Sequence, residues 1–169
     1  MDIYVDATPL YNLGQIGELD LLTAFGGAVV IPDRVAAEIT VEPARTNLDR
    51  LLEENTISTD PANGNWIEDA KALLGTEAET SDVVLIGSIL AARETGGEFA
   101  LVSDDRQMRA LADGLGATVT GTFGLTVRAS MDDKYFSVNQ AKRVIRRTDH
   151  HGVQMTGQLR ERAIGEVDS

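Results

Sequence analysis

Apolar residues in this chain fall into two alternating patterns. Short unbroken runs read as buried strands: Ile3-Tyr4-Val5 ahead of Asp6, Ala28-Val29-Val30-Ile31 stopped by Pro32, Phe99-Ala100-Leu101-Val102, and Thr118-Val119 before Gly121. Between them apolar positions recur every three or four residues, as one helix face requires. This spacing predicts helices over Gly17–Phe25, Asp33–Thr40, 44–54 with Leu48, Leu51 and Leu52 inward, and Trp66–Leu74. The strongest pattern runs from Glu79 to Thr95 and ends at Gly96-Gly97; a further helix covers 104–114. Helices near 122–130, 137–148 and 154–164 close the chain, and Asp60-Pro61-Ala62-Asn63-Gly64 is a turn by its chemistry. Strands alternating with helices predict an α/β fold: three layers, α/β/α, around a parallel sheet of four to five strands, with extra C-terminal helices.

At 169 residues the chain fits one domain that can bury a sizeable core. Its organisation reads as a main unit over 1–130, a helical extension of the same unit over 131–164, and a frayed tail over 165–169. The absence of cysteine excludes disulfides, thiolate metal sites and a cysteine nucleophile. No apolar run reaches the ~18 residues of a membrane span. The first strand begins too early to leave room for a leader, so a cytoplasmic protein is expected.

Charge changes the picture further. The net charge is −12, and only Lys71, Lys134 and Lys142 among the 15 basic residues are lysines. With few large aromatics and abundant Ala, Gly and Thr, the composition resembles that of halophilic, salt-adapted proteins. Residues 1–129 carry 8 basic against 21 acidic groups, net −13, whereas 130–169 carry 7 against 6, net +1. Lys142, Arg143, Arg146 and Arg147 form a compact basic cluster there, either a solvated helix face or a surface for a nucleic-acid backbone.

The candidate chemistry lies in acids at junctions between elements. Asp6 ends the first strand, Glu38 sits on the helix after the second, Asp82 opens the 79–95 helix, and Asp104 and Asp105 follow the third strand. Each has an ordinary alternative: Asp6 as N-cap ahead of Pro9, Glu38 as a solvated glutamate, Asp82 and the 104–105 pair as early-turn acids favoured by the helix dipole. Ser103 is the expected cap of the 104–114 helix, and Glu79 lies one turn before Asp82 as an auxiliary candidate. Carboxylates at strand ends face the binding crevice of a parallel sheet. If the first and third strands are neighbours, these acids meet. Like charges so gathered repel, and a hard divalent cation bound through oxygen is the usual compensation.

At this point a family resemblance enters. The string Asp6-Ala7-Thr8-Pro9-Leu10, Leu13, Ile16-Gly17-Glu18-Leu19-Asp20-Leu21-Leu22, followed by Val30-Ile31-Pro32-Asp33-Arg34-Val35-Ala36-Ala37-Glu38-Ile39, resembles the PIN-domain proteins. It is similar to a prokaryotic branch reading D-x-S-P-L-x-x-L-x-x-I-G-E-L-x-L-L. Leu111-Ala112 to Leu115-Gly116 and Gly121-Thr122-Phe123-Gly124-Leu125 resemble the end of the same pattern. That superfamily includes the VapC-like metal-dependent ribonucleases. The resemblance covers about 2–129 and more loosely the C-terminal helices.

Carried over by position, the resemblance implies Asp6, Glu38 and Asp82 as the first three acids and either Asp104 or Asp105 as the fourth, with Thr8 and Ser103 as hydroxyls near the metal. The branch often has Gly-Glu where this chain has Ser81-Asp82, one methylene shorter. The resemblance implies a Mg2+- or Mn2+-dependent endoribonuclease with one or two ions, of the kind that serves as the toxin of a toxin–antitoxin pair. The implied partners are an RNA substrate, a small antitoxin protein and a second copy in a homodimer. Lys142, Arg143, Arg146 and Arg147 would hold the RNA backbone, while His150 and His151 are expected as surface residues or RNA contacts.

Two readings compete. One is a PIN fold that docks RNA or a protein without cutting. The other is an acidic-pocket phosphatase or receiver domain, disfavoured because Asp6-Ala7-Thr8 lacks D-x-D and no lysine follows a late strand. Phosphate-binding G-x-x-x-x-G-K-[ST] and G-x-G-x-x-G strings are absent.

Overall fold

The computed structural model describes residues 1–59, 64–131 and 137–150. Four parallel strands, β1 (Asp2–Val5), β2 (Ala28–Val30), β3 (Phe99–Val102) and β4 (Thr118–Thr120), form one sheet in the order β2-β1-β3-β4. Tyr4 pairs with Val30 on one side and Leu101 on the other, and β4 joins through Leu101 and Val119. One isolated bridge, Val30 to Ser58, extends the β2 edge. The helices are α1 (Ala7–Ile16), α2 (Asp33–Ala36), α3 (Ala44–Glu54), α4 (Asn65–Leu74), α5 (Ser81–Glu94), α6 (Arg106–Gly114), α7 (Thr122–Met131) and α8 (Val138–His150).

Core burial follows the apolar patterns. Val5, Leu101 and Val102 in the central strands meet Leu10 and Leu13 of α1 and Val83, Leu85, Ile86 and Ile89 of α5, all at most 1% exposed. Both faces of the central strands are therefore covered, as a parallel sheet requires. The α1–α3 crossing is close: a Cβ on Gly14 would lie 2.8 Å from the Cβ of Ala44. Asn47 reinforces it by donating to the Gly14 carbonyl at 2.8 Å. Gly17 ends α1 at φ 73°, a left-handed cap that donates back to Gly14 and Leu13.

Several predicted elements change shape. Helix α1 emerges over residues that the pattern marks only by a start signal. The 17–25 helix contracts to a 3-10 turn over Leu19–Thr23, held by i→i−3 bonds such as Leu21 N–H to the Glu18 carbonyl. The 33–40 helix stops after four residues. Its chain continues through i→i−3 turns at Glu38 and Ile39, and Arg45 donates to the carbonyls of Ala36 and Ile39. Helix α5 starts at Ser81 rather than Glu79, because Thr80 caps it by accepting from Val83 N–H. The 154–164 helix, His151, the 165–169 tail and residues 60–63 of the expected turn lie outside the described residues.

Helix α8 is strongly amphipathic. Ala141, Val144 and Ile145 are buried, against α1 and α7. Among the described residues no helix is long and apolar enough to cross a membrane.

Candidate functional site

From the neighbouring strands β1 and β3 the chain runs on to β2 on one side and to β4 on the other, so the connections leave this pair in opposite directions. In an open parallel sheet, such a switch point opens a crevice at the strand carboxyl ends. Asp6 and Ser103 occupy that end of β1 and β3. Asp6 N–H donates to the Val102 carbonyl at 2.9 Å, carrying the ladder one residue beyond the strand.

Asp6 is 7% exposed and fixed at both oxygens. Its Oδ1 accepts from Ala7 N–H at 2.7 Å, capping α1, and its Oδ2 accepts from Ser103 Oγ at 2.6 Å. Burial raises its pKa above the ordinary carboxylate range. The two hydrogen bonds oppose that rise, and the charges of Glu38 and Asp105 add to it. Ser103 Oγ in turn accepts from Asp105 N–H at 3.1 Å, linking Asp105 to Asp6 through one hydroxyl.

The other acids stand more openly. Glu38 is exposed on the turn whose carbonyls Arg45 holds. Asp82 is exposed in the first turn of α5, and its pKa is also raised, by desolvation first and then by Asp6, Glu38 and Asp105. Asp105 is exposed and caps α6, with Oδ1 accepting from Gln107 and Met108 N–H at 2.7 and 3.0 Å. That corrects the expected capping role of Ser103, whose hydroxyl serves Asp6 instead. The charges of Glu38 and Asp105 thus act on both Asp6 and Asp82, and that of Asp6 on Asp82.

The remaining candidates divide. Asp104 turns its oxygens onto Asn12 and Thr122. Thr8 is exposed at the second position of α1, two residues from Asp6. Glu79, ahead of the Thr80 cap, acts electrostatically on Lys71, which also pairs with Glu68 at 2.9 Å. Lys142, Arg143, Arg146 and Arg147, with Asn139, line a depression of ≈ 480 Å³ along the outer face of α8. The charge of Arg147 acts on Glu18, whose pKa is raised by burial first while Arg147 lowers it and Asp20 raises it. Glu18 follows the far end of α1 from Asp6, roughly 15 Å away by helical rise. His150 ends α8.

Asn12, Thr122 and Arg45, which hold Asp104 and the Glu38 turn by hydrogen bonds, were not among the candidate site residues of the sequence. Asn12 is 2% exposed within an otherwise apolar helix face, and a buried amide needs a partner. The partner is 92 residues away and has no local sequence signal. Arg45 had a weak one, the i,i+4 spacing to Asp49, with which it pairs.

The donor set suits a hard divalent cation: carboxylates and hydroxyls, without sulfur. The like charges that raise Asp6 and Asp82 are those a cation would offset. As the side chains stand, no group of three or more acids or histidines among the described residues is close enough to hold an ion. Glu38, Asp82 and Asp105 are all exposed, and Asp105 is held as the cap of α6.

A family model described as PIN domain matches residues 2–169. Comparisons with curated proteins and with solved structures gave no match.

Proposed function

From the premise that this chain belongs to the PIN-domain family, whose members are generally nucleases, we propose that it is a Mg2+- or Mn2+-dependent endoribonuclease. The observation that carries the reading is that Asp6 and Asp105, at the carboxyl ends of the neighbouring strands β1 and β3, are joined through the Ser103 hydroxyl, with the charges of Glu38 and Asp105 felt at both Asp6 and Asp82.

In this reading Asp6, Asp82 and Asp105 hold the ion, and Glu38 either shares in holding ions or orients the attacking water. A divalent ion in such a site supplies a water of lowered pKa and offsets charge on the phosphoryl oxygens. Asp6 fixes the position, because Ala7 N–H and Ser103 Oγ leave its carboxylate little freedom. Burial of Asp6 lowers the local dielectric response and would strengthen its attraction for a cation. Glu38, Asp82 and Asp105, at the exposed rim, would supply further oxygens to such an ion. Thr8, exposed two residues after Asp6, would supply a hydroxyl near the ion.

RNA affinity is the difficulty for a protein of net charge −12. The outer face of α8 supports a solution, since Lys142, Arg143, Arg146 and Arg147 project from one surface. A strand leaving the carboxylates would follow α1 to reach that surface. A small antitoxin covering the crevice would restrain the activity, and a short reading frame beside the gene would favour that setting.

One observation favours a second reading, a PIN fold that binds RNA or a protein without cutting: the carboxylates do not converge into a ligand group among the described residues. A cleavage assay separates the two. Single-stranded RNA incubated with the protein and Mn2+ or Mg2+ is expected to be cut, with no cutting in chelator. Asp6→Asn is expected to lower the rate about 10³-fold, comparable to removing an electrostatic stabiliser of the transition state. RNA retained intact by wild type and variant alike would establish the binding module instead.

A further inference from the structure

Asp104 has three donors. Its Oδ1 accepts from Thr122 N–H at 2.7 Å, and its Oδ2 accepts from Thr122 Oγ1 at 2.6 Å and Asn12 Nδ2 at 3.1 Å. Thr122 is the first residue of α7, so the carboxylate meets an unsatisfied N–H at the positive end of a helix. Both donor side chains are sequestered, Asn12 at 2% and Thr122 at 0% exposure. The approach depends on Gly121: a Cβ there would sit 2.8 Å from Asp104 Oδ1.

The neighbouring backbone is held as well. Ser103 N–H donates to the Thr120 carbonyl at 2.9 Å, and Arg109 Nη1 donates to the Ser103 carbonyl at 2.7 Å. Asp105 then lies in extended conformation, its N–H donating at 3.1 Å to the Ser103 hydroxyl that donates to Asp6 Oδ2 at 2.6 Å. Two adjacent acids therefore have opposite employments, one toward α1 and α7, the other toward the crevice.

We propose that Asp104 is a positioning carboxylate: it clamps the start of α7 to α1 and so fixes the direction in which Ser103 and Asp105 face Asp6, leaving Asp105 as the ligand of the pair. The proposal rests on the ribonuclease reading for the word ligand, while the clamp itself is independent of metal. It predicts an asymmetry. Loss of the clamp loosens a ligand that is still present, which high metal concentration can restore. Loss of Asp105 removes the ligand.

The test compares Asp104→Asn, Asp105→Asn, Thr122→Val and Thr122→Ser in the full chain. Mn2+ affinity is read by calorimetry, cleavage rate at saturating Mn2+, and backbone amide resonances in the metal-free protein. Thr122→Val and Asp104→Asn are expected to weaken Mn2+ binding about 10- to 100-fold, as outer-shell changes do, and to recover near-normal rates at saturating Mn2+. Thr122→Ser, which keeps the hydroxyl, should match wild type. Asp105→Asn should not recover at any Mn2+ concentration. In the metal-free state Thr122→Val should shift the Asp105, Gln107 and Met108 amides.

Equal, unrecoverable losses in Asp104→Asn and Asp105→Asn would make Asp104 a ligand and overturn the proposal. So would a folded Thr122→Val with wild-type Mn2+ affinity and unmoved amides. Should Thr122→Val not fold, Asn12→Ala removes one donor of the same clamp and is read by the same criteria. Wild type that takes up no Mn2+ would defeat the ribonuclease reading, and the amide shifts would still decide the clamp.

Discussion

At Asp6 one carboxylate caps a helix, accepts a serine hydroxyl, and still carries a pKa raised by burial and by Glu38 and Asp105. The sign of the consequence follows from linkage. Below the unfolded-state pKa the group is protonated in both states and contributes no penalty. As pH rises through that value toward the higher folded pKa, the unfolded chain ionises first and native stability falls; above the folded pKa the loss is constant. Asp6→Asn keeps a good N-cap and removes the charge. In the metal-free protein it should therefore melt higher than wild type at pH 7, with the gap closing on acidification to pH 3; melting curves at the two pH values check this. An equal gap at both would mean that charge is not the cause. Residues of this kind were legible because a carboxylate between an apolar run and a helix start is conspicuous. Asn12 and Thr122 were not, since an amide or hydroxyl acquires its role only from a partner brought by folding.

Among the elements, α1 shows why pattern and structure diverge. Ala7, Thr8, Pro9, Asn12, Gly14 and Gln15 interrupt its apolar spacing, and only the cap at Asp6 marks it. Its small residues serve the crossing with α3. Replacing Gly14 by Ala gains up to about 1 kcal/mol of helix propensity. Against that stands a new methyl 2.8 Å from Ala44 Cβ and 2.9 Å from its Cα, and overpacking typically costs about 1–3 kcal/mol. The clash should win, lowering stability by about 1–2 kcal/mol in urea unfolding; a rise would show that the helices separate easily. By contrast, α3, α4 and β3 follow their predicted limits closely, because strong periodicity or an unbroken apolar run is bounded by Gly or polar residues. The expected helix 33–40 shortened because Arg45, from the next helix, takes the carbonyls of Ala36 and Ile39.

For the whole molecule, the α/β alternation was readable from apolar runs, whereas the pairing of β1 with β3 was not, because no local residue encodes which strands become neighbours. That pairing brings Asp6 and Asp105 together. Charge distribution is the other global feature, with residues 1–129 strongly acidic and a basic outer face on α8. If that face holds phosphates, Arg143→Gln with Arg146→Gln should weaken single-stranded RNA binding across sequences and reduce the salt slope by about 0.7 per lost contact. Binding measured over a series of salt concentrations gives the slope, and an unchanged slope would assign RNA contact elsewhere.

The central claim concerns the four acids at the crevice, and Mn2+ titration of the metal-free protein by calorimetry tests it most directly. Saturable binding that is lost in Asp82→Asn is the predicted result. No saturable heat with wild type, or full affinity retained in Asp82→Asn, would contradict it.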